Sequence, residues 1–95
     1  MAPALKVPVH WATAPDDAHV RLAWPAVEGA QRYEVELYSA ALDTIGTFVA
    51  ASDPSVTVAR SAFGPAGPAG ALCRVRVIDA GGSARISRLA PLASP

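Results

Sequence analysis

The stretch from Val20 to Leu37 constrains the fold of this chain more than any other. It holds two alternating runs joined by a short connection rich in turn residues. Val20, Leu22 and Trp24 share one parity in the first run, and Tyr33, Val35 and Leu37 share one parity in the second. Successive side chains of a strand point to opposite faces, so strict alternation marks strands with one side buried. Pro25 stops the first run, and Glu28-Gly-Ala30 supplies the turn before the second.

The same pattern extends in both directions. Leu5, Val7, Val9 and Trp11 alternate with Lys6, Pro8 and His10. This predicts a first strand, and Pro8 marks it as a sheet edge, where a missing donor costs nothing. Thr13-Ala-Pro-Asp-Asp-Ala18 is a turn cluster, followed by a second strand from His19 to Trp24 and a third from Arg32 to Ser39. Ile45, Phe48 and Val49 predict a short fourth strand before the turn at Ser52-Asp-Pro-Ser55. Val56 to Arg60 predicts a fifth, with Val56 and Val58 inward. Leu72 to Ile78 is the longest clean alternation, with Cys73, Val75 and Val77 inward and Arg74 and Arg76 outward. Asp79-Ala-Gly-Gly-Ser83 reads as a hairpin turn in which the glycines admit positive φ, and Arg85 to Leu89 as the last strand. No window has the period of an amphipathic helix. Short strands with regular turn signals predict an all-β chain, a two-sheet antiparallel β-sandwich of seven strands. Ninety-five residues make one domain over 1–95, with a core at about 5–90. The proline-rich ends read as an arm at 1–4 and a tail at 91–95, held by a neighbour or by the chain itself.

Composition narrows function by exclusion. The formal net charge is zero, against the basic face that nucleic-acid binding usually needs. Apolar runs are too short for a membrane-spanning helix. The start, Met-Ala-Pro-Ala-Leu-Lys-Val-Pro, lacks the basic stretch and long apolar segment of a secretory signal. Charged residues are 17% and apolar residues 52%, which suits either a GC-rich genome or a surface partly covered by neighbours. Cys73 is the one cysteine, so packing rather than a disulfide holds the sandwich, and its inward parity predicts a buried structural thiol.

Leu22-Ala-Trp24-Pro25, Gly29-Ala30, Tyr33-Glu-Val35 and Arg74-Val-Arg-Val77 with Asp79 and Gly82 occur in an order that resembles the fibronectin type III domain. The resemblance covers roughly residues 5 to 90. It implies that Trp24 lies on the second strand and Tyr33 on the third, and that the third strand lies beside the Arg74–Val77 strand in one sheet. Two departures stand out. Ala71 occupies the place of the family's tyrosine corner, and the connection before that strand is expanded by Gly64-Pro-Ala-Gly-Pro-Ala-Gly70, with Phe63 in the place of a leucine. That end of the sandwich is expected to be built differently. The Arg-Gly-Asp tripeptide of some members is absent.

No constellation carries chemistry. His10 and His19 have no metal-ligand spacing, Asp16-Asp17 reads as a plain turn, and Gly81-Gly82 precedes a strand rather than a helix. The expectation is therefore no enzyme, no cofactor and no metal. The strand neighbours that the resemblance implies would put Glu34 and Glu36 on the same face as Arg74 and Arg76, as a cross-strand charge ladder. Tyr38, Leu72 and Ile78 fall on the same outward parity, with Leu42 and Ile45 nearby. These residues are either a solvated ion-pair face or a docking surface with an apolar core and polar rim. The leading expectation is a structural or accessory component of a larger assembly, such as a phage virion's tail, baseplate or capsid decoration. Its partners would be other proteins or copies of itself, its location a virion or a cytoplasmically assembled particle. The alternative is a spacer or carbohydrate-surface-binding module cut from a multidomain bacterial secreted enzyme or adhesin, and hence extracellular. Carbohydrate binding would rest on Trp11 and Tyr38.

Overall fold

The computed structural model describes residues 7–13, 18–65 and 67–93. Leu5, Lys6, Asp16, Asp17 and the ends of the arm and tail lie outside the described residues. Among the described residues eight strands follow one another: β1 His10–Thr13, β2 His19–Ala23, β3 Ala30–Tyr38, β4 Thr44–Ala50, β5 Ser55–Ala59, β6 Leu72–Asp79, β7 Ala84–Ile86 and β8 Ala90–Pro91. A 3-10 helix at Arg60–Phe63 separates β5 from β6. The strands form two sheets, one in the order β1-β2-β5 and one in the order β4-β3-β6-β7, with β8 also pairing β6; all these pairings are antiparallel.

The alternating runs become the two inner faces. Val20 and Leu22 from β2 and Tyr33, Val35 and Leu37 from β3 are buried, as are Cys73, Val75 and Val77 from β6. Trp24, just past β2, is 4% exposed and meets Tyr33 of the other sheet edge-on, with ring centroids 5.3 Å apart and planes at 73°. That offset geometry suits the quadrupoles of both rings. The Tyr33 hydroxyl accepts the Val27 N–H at 2.9 Å, so the polar tip of this buried ring is satisfied while it fixes the loop after Pro25. Burial alone pushes the Cys73 thiol up to about 11, which leaves it protonated and unreactive near neutrality.

Of the expected last strand, Arg85 to Leu89, only Arg85 and Ile86 lie in a strand, β7, and pairing with β6 resumes in β8 at Ala90. The cause is Ser87, a buried polar residue. Its N–H donates to the Val75 carbonyl at 2.9 Å, as the ladder requires. The Val75 N–H, however, donates to Ser87 Oγ at 2.9 Å. A side-chain oxygen has taken a ladder bond that usually goes to a backbone carbonyl. From there the register against β6 steps by one residue: Ile86 lies opposite Arg76, but Ala90 lies opposite Cys73. This is a bulge, which reverses which face the following residues point to. The seven expected strands thus become eight. Replacing Ser87 with alanine leaves the Val75 N–H buried without that acceptor, and should cost about 1–3 kcal/mol in urea unfolding.

The segment expected as a tail from Pro91 is integral to the sandwich up to Ala93. Pro91 is in β8, Leu92 is buried at 7% exposure, and the Leu92 N–H donates to the Ala71 carbonyl at 3.0 Å. The chain then crosses to the other sheet. The Trp11 N–H donates to the Ala93 carbonyl at 3.2 Å, and the Ala93 N–H to the Val9 carbonyl at 2.9 Å. This tie lies along the outer edge of β1, the strand expected at an edge. Phe63 is buried on its 3-10 helix, and Ala71, whose carbonyl accepts the Leu92 N–H, is buried as well. Together with Ile45 they line a cavity of about 40 Å³, where the resemblance would have placed a tyrosine.

Candidate functional site

The outer face of the larger sheet gathers all seven residues singled out from sequence. Pairing of β3 with β6 places Glu34 opposite Arg76, Glu36 opposite Arg74 and Tyr38 opposite Leu72, while Arg32 lies opposite Ile78. Directly opposed residues share a face, so the register itself builds the charge ladder.

The strongest rung is Glu36–Arg74. Arg74 Nη2 donates to Glu36 Oε1 at 2.7 Å, and the Tyr38 hydroxyl donates to the same oxygen at 2.7 Å. Tyr38 and Glu36 are two residues apart on one strand, so they project from the same side. The bond from Arg74, and then that from Tyr38, hold the Glu36 carboxyl below its ordinary value of 4.5. The same carboxylate raises the Tyr38 phenol above its ordinary value of 10.0. The second rung is looser. Arg76 Nε lies 3.8 Å from Glu34 Oε1, and Arg32 Nη2 donates to Glu34 Oε2 at 3.3 Å.

These pairs are partly open to water, with Arg74 side chain exposure at 38% and Glu36 at 18%. Solvent screening therefore holds the Glu36–Arg74 coupling to about 1 kcal/mol or less. A depressed carboxylate pKa contributes stability above the unfolded value of 4.5, which is lost as pH falls through the folded value. A double-mutant cycle on Glu36→Gln and Arg74→Met should show that coupling at pH 7, and the coupling should shrink as pH falls below 4.5.

Around the ladder the apolar residues differ from expectation. Tyr38, Leu72 and Ile78 are only partly exposed. Ile45 turns inward: it sits at the bulge where the β3–β4 register shifts and packs against the core. Leu42 is 60% exposed at the β3–β4 turn and holds a φ of 69°, an unfavourable conformation for a residue with a Cβ. Val49 and Ile86 are exposed apolar residues of this face, at 60% and 44%. Val49 lies opposite Glu34, and Ile86 opposite Arg76. One row across four strands therefore reads Val49, Glu34, Arg76, Ile86, with an ion pair between two apolar ends. Alternation from Phe48 and Arg85 carries that signal, but only the register puts the two ends in one row.

The remaining candidates do not converge. Trp11 packs partly against the core, and Tyr38 is bound to Glu36, so the two offer no shared aromatic platform. Among the described residues no three metal-ligating side chains cluster, and no helix is long and apolar enough to cross a membrane. The cavity beside Phe63, at about 40 Å³, has room for water but is far below the size of a small-molecule site.

No family model and no curated protein matches this sequence. Two solved structures are similar to it. A fibronectin-III-like protein from Clostridium thermocellum shares 22% identity over 98% of this chain and 96% of its own, with a TM-score of 0.58. A pectate lyase, Pel3, from Pectobacterium carotovorum shares 20% identity and a TM-score of 0.52. That match takes in 92% of this chain but only 27% of the lyase. The sheet order, the Trp24–Tyr33 contact across the sandwich and these two structures agree: the chain has a fibronectin type III-like fold.

Proposed function

We propose that this domain is a non-catalytic interaction and spacing module of a larger bacterial protein. The observation that carries the reading is the match to about a quarter of the pectate lyase chain, 27%, with a sandwich of the same kind. A domain of this size inside a longer enzyme leaves the rest of that chain for other work. The outer face of β4-β3-β6-β7 suits contact with a neighbouring domain or a wall-like surface. Its apolar ends and charged middle resemble the mixed polarity of transient interfaces. Neither similar structure lends support to the virion reading. Carbohydrate recognition has little to rest on, with Tyr38 engaged by Glu36 and Trp11 partly buried.

The test is the native gene product and its activity. Mass spectrometry of the protein from its host should find these 95 residues within a longer polypeptide. The isolated domain should leave polygalacturonate uncut, while Val49→Lys with Ile86→Lys should weaken its contact with the flanking domain of that polypeptide. A native product no longer than these residues, or one purified within a particle, would overturn the module reading.

A further inference from the structure

We infer that the open edge of β4 pairs with the same edge of a second copy of this chain, in an antiparallel two-fold register centred on Phe48. Each sheet has two edges, and three of the four are closed or blunted. The edge of β1 is tied to Ala93 by two backbone hydrogen bonds. The far edge of the larger sheet is broken between β7 and β8, and carries Arg85, Arg88 and Pro91. β5 is only five residues long and runs between Pro54 and the 3-10 helix. β4 is different. Its seven residues, Thr-Ile-Gly-Thr-Phe-Val-Ala, include no charge and no proline. Among the described residues it pairs with β3 alone. An edge without charge or proline, and with its bulge confined to the Ile45 end, offers a row of free N–H and C=O groups to another strand.

Symmetry and sequence select the occupant. Two antiparallel copies related by a two-fold axis must centre their register on a residue, so that facing backbone groups match. The regular part of β4 is Gly46–Ala50, since the register against β3 shifts beyond Leu37. Its middle is Phe48. On one face Phe48 then meets Phe48 of the second copy. On the other, Thr47 meets Val49, which covers a side chain that is 60% exposed in the single chain. Aromatic and β-branched cross-strand pairs are favourable, and within Gly46–Ala50 no like charges stand directly opposite. The nearest charges, Glu34 and Glu36, stand one strand further in, each beside an arginine of β6. A single strand pair buries well under the roughly 1,200 Å² of a stable interface, so the dimer is weak and concentration-dependent.

Sedimentation equilibrium on the 95-residue chain tests this. The average mass should rise from monomer toward dimer between about 10 μM and 1 mM. Thr47→Lys with Val49→Lys faces lysine with lysine twice, and should weaken association at least tenfold. Thr47→Lys with Val49→Glu faces lysine with glutamate twice in this register, and should restore it. Both positions are exposed, and matching thermal transitions would show that the variants fold. Independently of any variant, the amide protons of residues 46–50 that point away from β3 should gain exchange protection with concentration. A wild-type chain that stays monomeric at 1 mM would sink the inference, leaving the edge to a strand of another protein. Equal association by the two double variants would sink it too, since the contact would then lie elsewhere.

Discussion

Trp24→Ala is expected to destabilise the domain by about 3–5 kcal/mol. Trp24 is 4% exposed and spans the gap between the sheets to reach Tyr33. Its removal takes away the largest side chain of the core and the edge-on ring contact together. A domain of this size has about 5–15 kcal/mol in total, so the variant should lose a large part of its stability. The thermal midpoint should fall by on the order of 20 °C. Trp24→Phe should lose much less. Among the described residues the Trp24 Nε1 is buried without a hydrogen-bond partner, so phenylalanine removes an unsatisfied donor along with some volume. Urea unfolding followed by circular dichroism separates the two variants. Similar losses in both would mean that the indole N–H contributes and that the packing argument is incomplete.

Leu92→Ala should cost about 2–4 kcal/mol, although it lies three residues from the C-terminus. Leu92 is buried at 7% exposure. Its own N–H binds Ala71, and the next residue binds β1 on the other sheet. The side chain therefore helps to close both the end of β6 and the seam between the sheets. A loosely attached tail would give a change of a few tenths of a kcal/mol, as exposed terminal positions do. Equilibrium unfolding distinguishes the two outcomes without ambiguity.

Leu92 also shows why part of the fold is illegible in the chain. On alternation alone, Ile86 and Leu92 share a parity and should share a face. They do not. Ile86 is 44% exposed on the outer face, and Leu92 is buried. The bulge after Ser87 adds one residue and reverses the parity. Nothing in Ser-Arg-Leu-Ala-Pro announces that a hydroxyl will take a backbone ladder bond. The β4 bulge does the same to Ile45, which has the parity of an outward residue and packs inward. The charge ladder needed no such correction. β3 and β6 pair in regular register over Glu34–Tyr38, so alternation on each strand sufficed to bring Glu34, Glu36, Tyr38, Leu72, Arg74 and Arg76 to one face. Which of the apolar neighbours stay exposed was another matter. Exposure depends on how long side chains on adjacent strands lie over one another, and that is a property of the assembled sheet.

The local periodicity of Val20–Leu37 and Leu72–Ile78 determined the strands, their buried faces and the class of fold. It did so because alternation is written into the covalent chain two residues at a time. Tertiary structure alone decided the broken final strand, the core role of Leu92, the row from Val49 to Ile86 and the open edge of β4. Each depends on register between segments far apart in sequence, and register is set by which backbone hydrogen bonds form once the sheets meet.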